Sequence, residues 1–173
     1  MFNFFKKNKT IESKLYNKIL SLARNKLFYT KLGLRDTFQN RINLIFLHLS
    51  FILIKMKEKR KNSIYKKFYQ ETFDFCFKKI ELNMREIGYG DIMINKNMKF
   101  LVKTFYNILL NCENYKKKNE NSKNMFLTRY LMQNNDQKPT YNIMLVEYFD
   151  KYEAFCLDLS PDSVLRGDLN FKY

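Results

Sequence analysis

Hydrophobic residues recur at three- and four-residue intervals along most of this chain, which places them on one face of an α-helix. Over residues 11–27 the stripe is Ile11, Leu15, Ile19 and Leu22, with Lys14, Lys18 and Asn25 on other faces, so a basic amphipathic helix is predicted. Residues 28–34 carry no stripe of their own and contain Gly33. Asp36 followed by Gln39 resembles a capping box, the Asp36 carboxylate accepting a backbone N–H while Gln39 reaches back. A second helix is therefore predicted from there to Lys57. Its stretch 42–54 is nearly all apolar but only 13 residues long, and it carries Asn43, His48 and Ser50. A membrane span needs about 20 residues, so this segment reads as a central core helix with neighbours on every side.

A third helix is predicted over 63–87, where Tyr65, Tyr69, Phe73, Cys76, Ile80 and Met84 repeat at helical spacing and Gly88 stands at the position of a left-handed cap. The fourth, over 94–115, repeats the pattern with Met98, Leu101, Phe105, Leu109 and Cys112. The run 116–124 (KKKNENSKN) is a polar loop by composition. A fifth helix over 125–133 ends at a polar run before Pro139, and a sixth over 141–157 carries Leu145, Phe149, Tyr152 and Cys156 on one side. Ser160 followed by Pro161 reads as a cap with proline at the first helical position, giving a last turn to Leu165 before Gly167. Residues 1–10 read as flexible. With 4 Gly and 2 Pro there is too little turn chemistry for a sheet-rich fold, and 173 residues suit one domain. The fold class is all-α, an irregular single-domain bundle of about six helices.

Charge narrows the partners. The chain holds 32 Lys+Arg against 17 Asp+Glu, a net +15, which favours nucleic acid, a ribosome surface or the anionic face of a bilayer. A/T-rich coding is the competing source of this excess, since Lys, Asn, Ile, Phe and Tyr abound while Ala occurs twice. At the N-terminus Phe2, Phe4 and Phe5 stand beside Lys6, Lys7 and Lys9; with the first helix they suit a membrane- or ribosome-facing element, or simple docking on the bundle. No secretory signal is legible, so a cytoplasmic protein is expected, peripheral at the inner face of the inner membrane.

Catalytic chemistry finds little support. Cys76, Cys112 and Cys156 are odd in number and lack C-x-x-C spacing, which suggests neither disulfides nor zinc and points to buried, reduced thiols. His48 is the sole histidine, and its apolar helix predicts a buried, hydrogen-bonded ring rather than a general base. Gly88-x-Gly90 is too short for a dinucleotide fingerprint and follows no strand. Glu81, Glu86 and Asp91 lie near that turn without the arrangement of an acid/base pair. No catalytic residue, cofactor or metal is expected. The same turn is dense in polar residues: Arg85, Glu86, Asp91, Lys96 and Lys99 fall within 15 residues. Lys96 and Lys99 would lie in the first turns of the fourth helix, where cations oppose the helix dipole, a local cost that points to a partner.

Over residues 28–106 the succession FYTKLGLRDTFQNR, IFLHLSFILIK and NMREIGYGDIMINKNMKFLVKTFY resembles the ubiquinol-cytochrome c chaperone family, assembly factors of cytochrome bc1 in mitochondria and alphaproteobacteria. The resemblance is carried by Phe28-Tyr29 before Gly33, Asp36 with Arg41, His48 in its apolar helix, Arg85-Glu86 with Gly88-x-Gly90-Asp91, Lys96-x-Met98-Lys99, and Phe105-Tyr106. The tail from Ser160-Pro161 to Phe171 is similar to the family's bacterial ending. The resemblance implies a non-enzymatic helical chaperone of newly made cytochrome b. Mitochondrial members work with a small partner protein near the ribosomal tunnel exit. One position departs from the pattern: Met93 stands where a small hydroxyl residue would cap the fourth helix, and Asp91 is expected to cap instead. About ten residues precede the first helix, which favours an alphaproteobacterial-type member over a mitochondrial one with a long targeting extension.

The resulting expectation is a chaperone that holds cytochrome b through a surface groove, with Arg85, Glu86, Asp91, Lys96 and Lys99 as the partner-binding patch. The competing expectation for the patch is a buried ion pair between Arg85 and Asp91. Two other functions fit the composition: a small basic helical RNA-binding or ribosome-associated protein, and a lipid- or quinone-binding protein with an enclosed apolar cavity.

Overall fold

Helix follows helix through residues 11–57, 63–132 and 142–173, the parts described by the computed structural model. In chain order they are α1 (Ile11–Ala23), α2 (Leu27–Thr30), α3 (Phe38–Lys57), α4 (Ser63–Ile87), α5 (Asp91–Glu113), a 3-10 turn (Tyr115–Lys117), α6 (Glu120–Leu131), α7 (Ile143–Asp158) and α8 (Pro161–Leu165). No strand occurs among the described residues, so the all-α expectation holds. Residues 1–10, read as flexible, lie outside the described residues, as do part of the basic run after α3 and the segment around Pro139.

The core is built around α3, which packs against α1, α4, α5, α6, α7 and α8. Every residue from Ile42 to Leu53 is buried, which explains a helix apolar nearly all round: no face of it meets water. Among the described residues no helix is long and apolar enough to cross a membrane. Phe46 of α3 stacks on Phe77 of α4 at 5.4 Å and meets the edge of Phe105 of α5 at 5.3 Å. These rings tie α3, α4 and α5 together.

His48 is fully buried in α3, as its setting predicts. One ring nitrogen, Nδ1, lies 2.6 Å from the Leu44 carbonyl, which can only accept, so Nδ1 carries the proton. Nε2 is then the acceptor for the Tyr148 hydroxyl at 2.8 Å. Burial holds the ring neutral, its pKa lowered from 6.5 to about 4. Cys76, Cys112 and Cys156 are buried and unpaired. Burial pushes the Cys76 and Cys156 thiols up to about 12 and Cys112 well above its ordinary value.

Four local expectations are corrected. The first helix stops at Ala23 rather than at 27, because the Asn25 side chain takes the Leu27 N–H at 3.0 Å and offers the backbone a competing bond. The chain turns once more as α2, whose Phe28 is fully buried against Tyr148 at 4.8 Å. At the start of α3 the cap is Thr37, whose hydroxyl accepts from the Asn40 N–H at 3.2 Å. Asp36 instead grips Arg41 with both oxygens at 2.6 and 2.7 Å, and Gln39 donates to Asn43; a bidentate pair with a full cation outcompetes a single bond to a backbone amide.

The polar run 116–124 is not a loop throughout, since Asn119 caps α6 by accepting from the Ser122 N–H at 2.9 Å. Its Lys123 reaches α7, bonding Asp150 at 2.8 Å and lying over the Tyr115 ring at 4.9 Å. Asn124 is buried and accepts from the Asn142 N–H. Those polar side chains pair with a neighbour rather than with water. Finally, α5 begins at Asp91 rather than near 94, with Gly90 in the capping position and no side-chain cap bond. Asp91 does not cap it. By contrast Ser160 caps α8 as read, accepting from the Ser163 N–H at 3.1 Å with Pro161 behind it.

Candidate interaction surface

The turn between α4 and α5 is shaped by glycine. Gly88 has φ +99°, the left-handed region that favours glycine. Its N–H reaches the Arg85 carbonyl at 3.0 Å and the Tyr89 N–H reaches the Met84 carbonyl at 3.1 Å, the paired bonds of a Schellman ending. Gly90 then starts α5 from extended backbone. A connection this short sets the two helices side by side and antiparallel.

Arg85 braces the turn from the α4 side. Its Nη1 bonds Asp91 at 2.6 Å, and its Nη2 and Nε reach Glu81 at 2.9 and 3.2 Å. These bonds, from Asp91 first and Glu81 second, hold the guanidinium pKa above its ordinary value. The pair is not the buried one of the competing expectation: the side chains are 47% and 77% exposed. Glu86 is exposed too and looks the other way, into a cleft of about 210 Å³ between α1, α3 and α4 that Arg24 and Arg41 also line. Lys96 and Lys99 are exposed on α5. Because that helix starts at Asp91, both lie beyond its first turn, where the dipole has faded. The dipole therefore does not set these lysines apart; their position on the outer face does.

What polarity alone missed is the company these residues keep. Ile87, Ile92 and Met93 stand exposed at the turn, Ile92 at 88%, and Phe100 and Leu110 continue outward along α5 at 58% and 60%. The signal was in the spacing. The core stripe of α5 runs through Leu101, Phe105 and Cys112, and Ile92, Phe100 and Leu110 fall nearly opposite it on a 3.6-residue wheel. An apolar residue on the wrong side of an amphipathic helix asks for a second contact.

The cleft beside Glu86 has an apolar floor that includes Phe38, Ile42 and Ile45. At about 210 Å³ it accommodates a few side chains rather than a helix, whose diameter is about 10 Å. Apolar side chains are displayed openly at the α4–α5 turn and along the outer face of α5.

The structure resembles the crystal structure of the Cbp3 homolog from Brucella abortus, with a TM-score of 0.77 and 23% identity over 94% of this chain and 89% of that one. That likeness shows a shared fold. No curated protein matches the chain. A model of the ubiquinol-cytochrome C chaperone family matches residues 30–171, which takes in every helix from α3 to α8 and the whole α4–α5 surface. The chain belongs to the ubiquinol-cytochrome C chaperone family.

Proposed function

We propose that this protein is a non-enzymatic assembly chaperone that binds newly made cytochrome b and promotes assembly of the cytochrome bc1 complex. It works as a peripheral protein at the inner face of the inner membrane, where its positive charge concentrates it near ribosomes and anionic lipid. Family membership supports the reading. The observation that carries it is the set of apolar side chains displayed at the α4–α5 end by helices whose opposite faces are already committed to the core.

In this reading Arg85 and Asp91 fix the turn, Glu86 borders the neighbouring cleft, and Lys96 and Lys99 meet the partner beside Ile92 and Met93. A chaperone role also suits the burial of the side chains that commonly do nucleophilic or acid–base work. The three thiols and the only imidazole are out of a substrate's reach and held neutral by burial.

A pull-down from native membranes, read by mass spectrometry, tests the function. Wild-type protein is expected to enrich cytochrome b and other bc1 subunits, and the Lys96→Glu/Lys99→Glu variant to lose them while keeping its circular dichroism. Ribosomal proteins and RNA without bc1 subunits would replace this reading with a ribosome-associated one.

A further inference from the structure

We propose that the outward face of α5 is a docking surface for an anionic lipid bilayer, on which the helix lies along the interface. The inference rests on placing the chaperone at a membrane and names the partner that Lys96 and Lys99 meet there.

Three observations carry it. The first is the shape of the face. Ile92, Lys96, Phe100, Lys103, Asn107 and Leu110 fall within one sector of about 80° on the α5 wheel and are all exposed. From Ile92 to Leu110 the rise is about 27 Å at 1.5 Å per residue. The opposite side is fully used, with Ile94, Leu101, Phe105, Ile108 and Cys112 buried.

The second is the interleaving of chemistry. Lys96 lies between Ile92 and Phe100, and Lys103 between Phe100 and Leu110. Lysine carries a four-carbon stem under its ammonium, so it can lie along hydrocarbon while its head stays among phosphates. Ile, Met, Phe and Leu offer no hydrogen-bonding group, which suits acyl chains better than the stacked bases and phosphates of RNA.

The third is charge. No carboxylate occurs between Ile92 and Cys112. The two that flank this stretch are held by cations elsewhere on the protein, Asp91 by Arg85 and Glu113 by Lys57. Among the described residues no carboxylate pairs with Lys96, Lys99 or Lys103. The face therefore presents three cations to an anionic plane with no opposing charge in its length.

The test is cosedimentation of the full chain with vesicles of phosphatidylcholine alone, or of phosphatidylcholine and phosphatidylglycerol in equal parts. The expected result is binding to the mixed vesicles only, weakening as salt is raised. Lys96→Glu/Lys99→Glu/Lys103→Glu is expected to lower that affinity by about a hundredfold or more. Ile92→Ser/Phe100→Ser/Leu110→Ser is expected to abolish stable binding with circular dichroism and melting unchanged. Equal binding to both vesicles, no binding by the wild type, or full binding by either folded triple variant overturns the proposal. Concentration-dependent self-association that the serine variant removes, without vesicle binding, overturns it in favour of a second copy. A chain that fails on vesicles yet still enriches cytochrome b loses this face and keeps its chaperone role; vesicle binding without cytochrome b does the reverse.

Discussion

Buried away from solvent, the His48 ring is favoured in its neutral form by the fold. The unfolded ring binds its proton below about pH 6.5 and the folded one only below about 4. Between those values the unfolded chain holds more protons, so its contribution to stability is complete above about 6.5 and is lost as pH falls toward 4. The full swing is about 3 kcal/mol. Urea denaturation at pH 7 and pH 4.5 is expected to show a larger acid loss in wild type than in His48→Gln, and equal losses would mean that the ring is accessible to protons. Phe105 makes a different kind of demand. It is fully buried and packs edge-on against Phe46 and Phe77 at 5.3 and 5.7 Å, so Phe105→Ala is expected to cost about 3 to 5 kcal/mol by the same assay. Both burials were legible from the chain, one from an apolar run and the other from a stripe. The Leu44 carbonyl that sets the tautomer of His48 is one helical turn away, but its second partner, Tyr148, lies 100 residues away, and no local pattern names it.

Helix cores were legible and helix ends less so, because ends are decided by which polar group wins a local competition. Gly88 announced its left-handed cap, and Ser160 with Pro161 announced α8. At Asp36 the reading failed because a carboxylate in capping position also had Arg41 within reach. At 116–124 polarity does not mean solvation, since Lys123 and Asn124 are bonded to other parts of the bundle. The Gly88 cap is open to test. A Cβ there would meet nothing within 4 Å, so Gly88→Ala isolates the backbone conformation from steric clash. The left-handed cost, partly offset by a less flexible unfolded chain, is expected to lower stability by about 1 kcal/mol. A neutral result would show that the turn relaxes without it.

At the scale of the molecule, the five polar residues read from the sequence separate into a brace, Arg85 with Asp91, a cleft residue, Glu86, and two outward lysines, Lys96 and Lys99, proposed as the contact face. Arg85→Ala removes an exposed pair and is expected to leave melting nearly unchanged while loosening the turn, seen as faster amide exchange at Tyr89 to Asp91. Lys96→Glu/Lys99→Glu is expected to leave both melting and exchange alone yet lower the bc1 content of cells; normal bc1 content in the stable variant would remove these lysines from the contact face. The charge excess, the polar turn and the core stripe of α5 are all visible in the chain; how far Ile92, Phe100 and Leu110 stand out of the fold is not, since exposure depends on which neighbours pack beside the helix. The burial of all three cysteines has a practical consequence. Thiols at 2% exposure that burial holds protonated are poor targets for maleimides in the native protein. An Ile92→Cys substitution at a position 88% exposed would thus take up a polarity-sensitive dye alone, giving a reporter on the outward face with every native residue of the interior left in place.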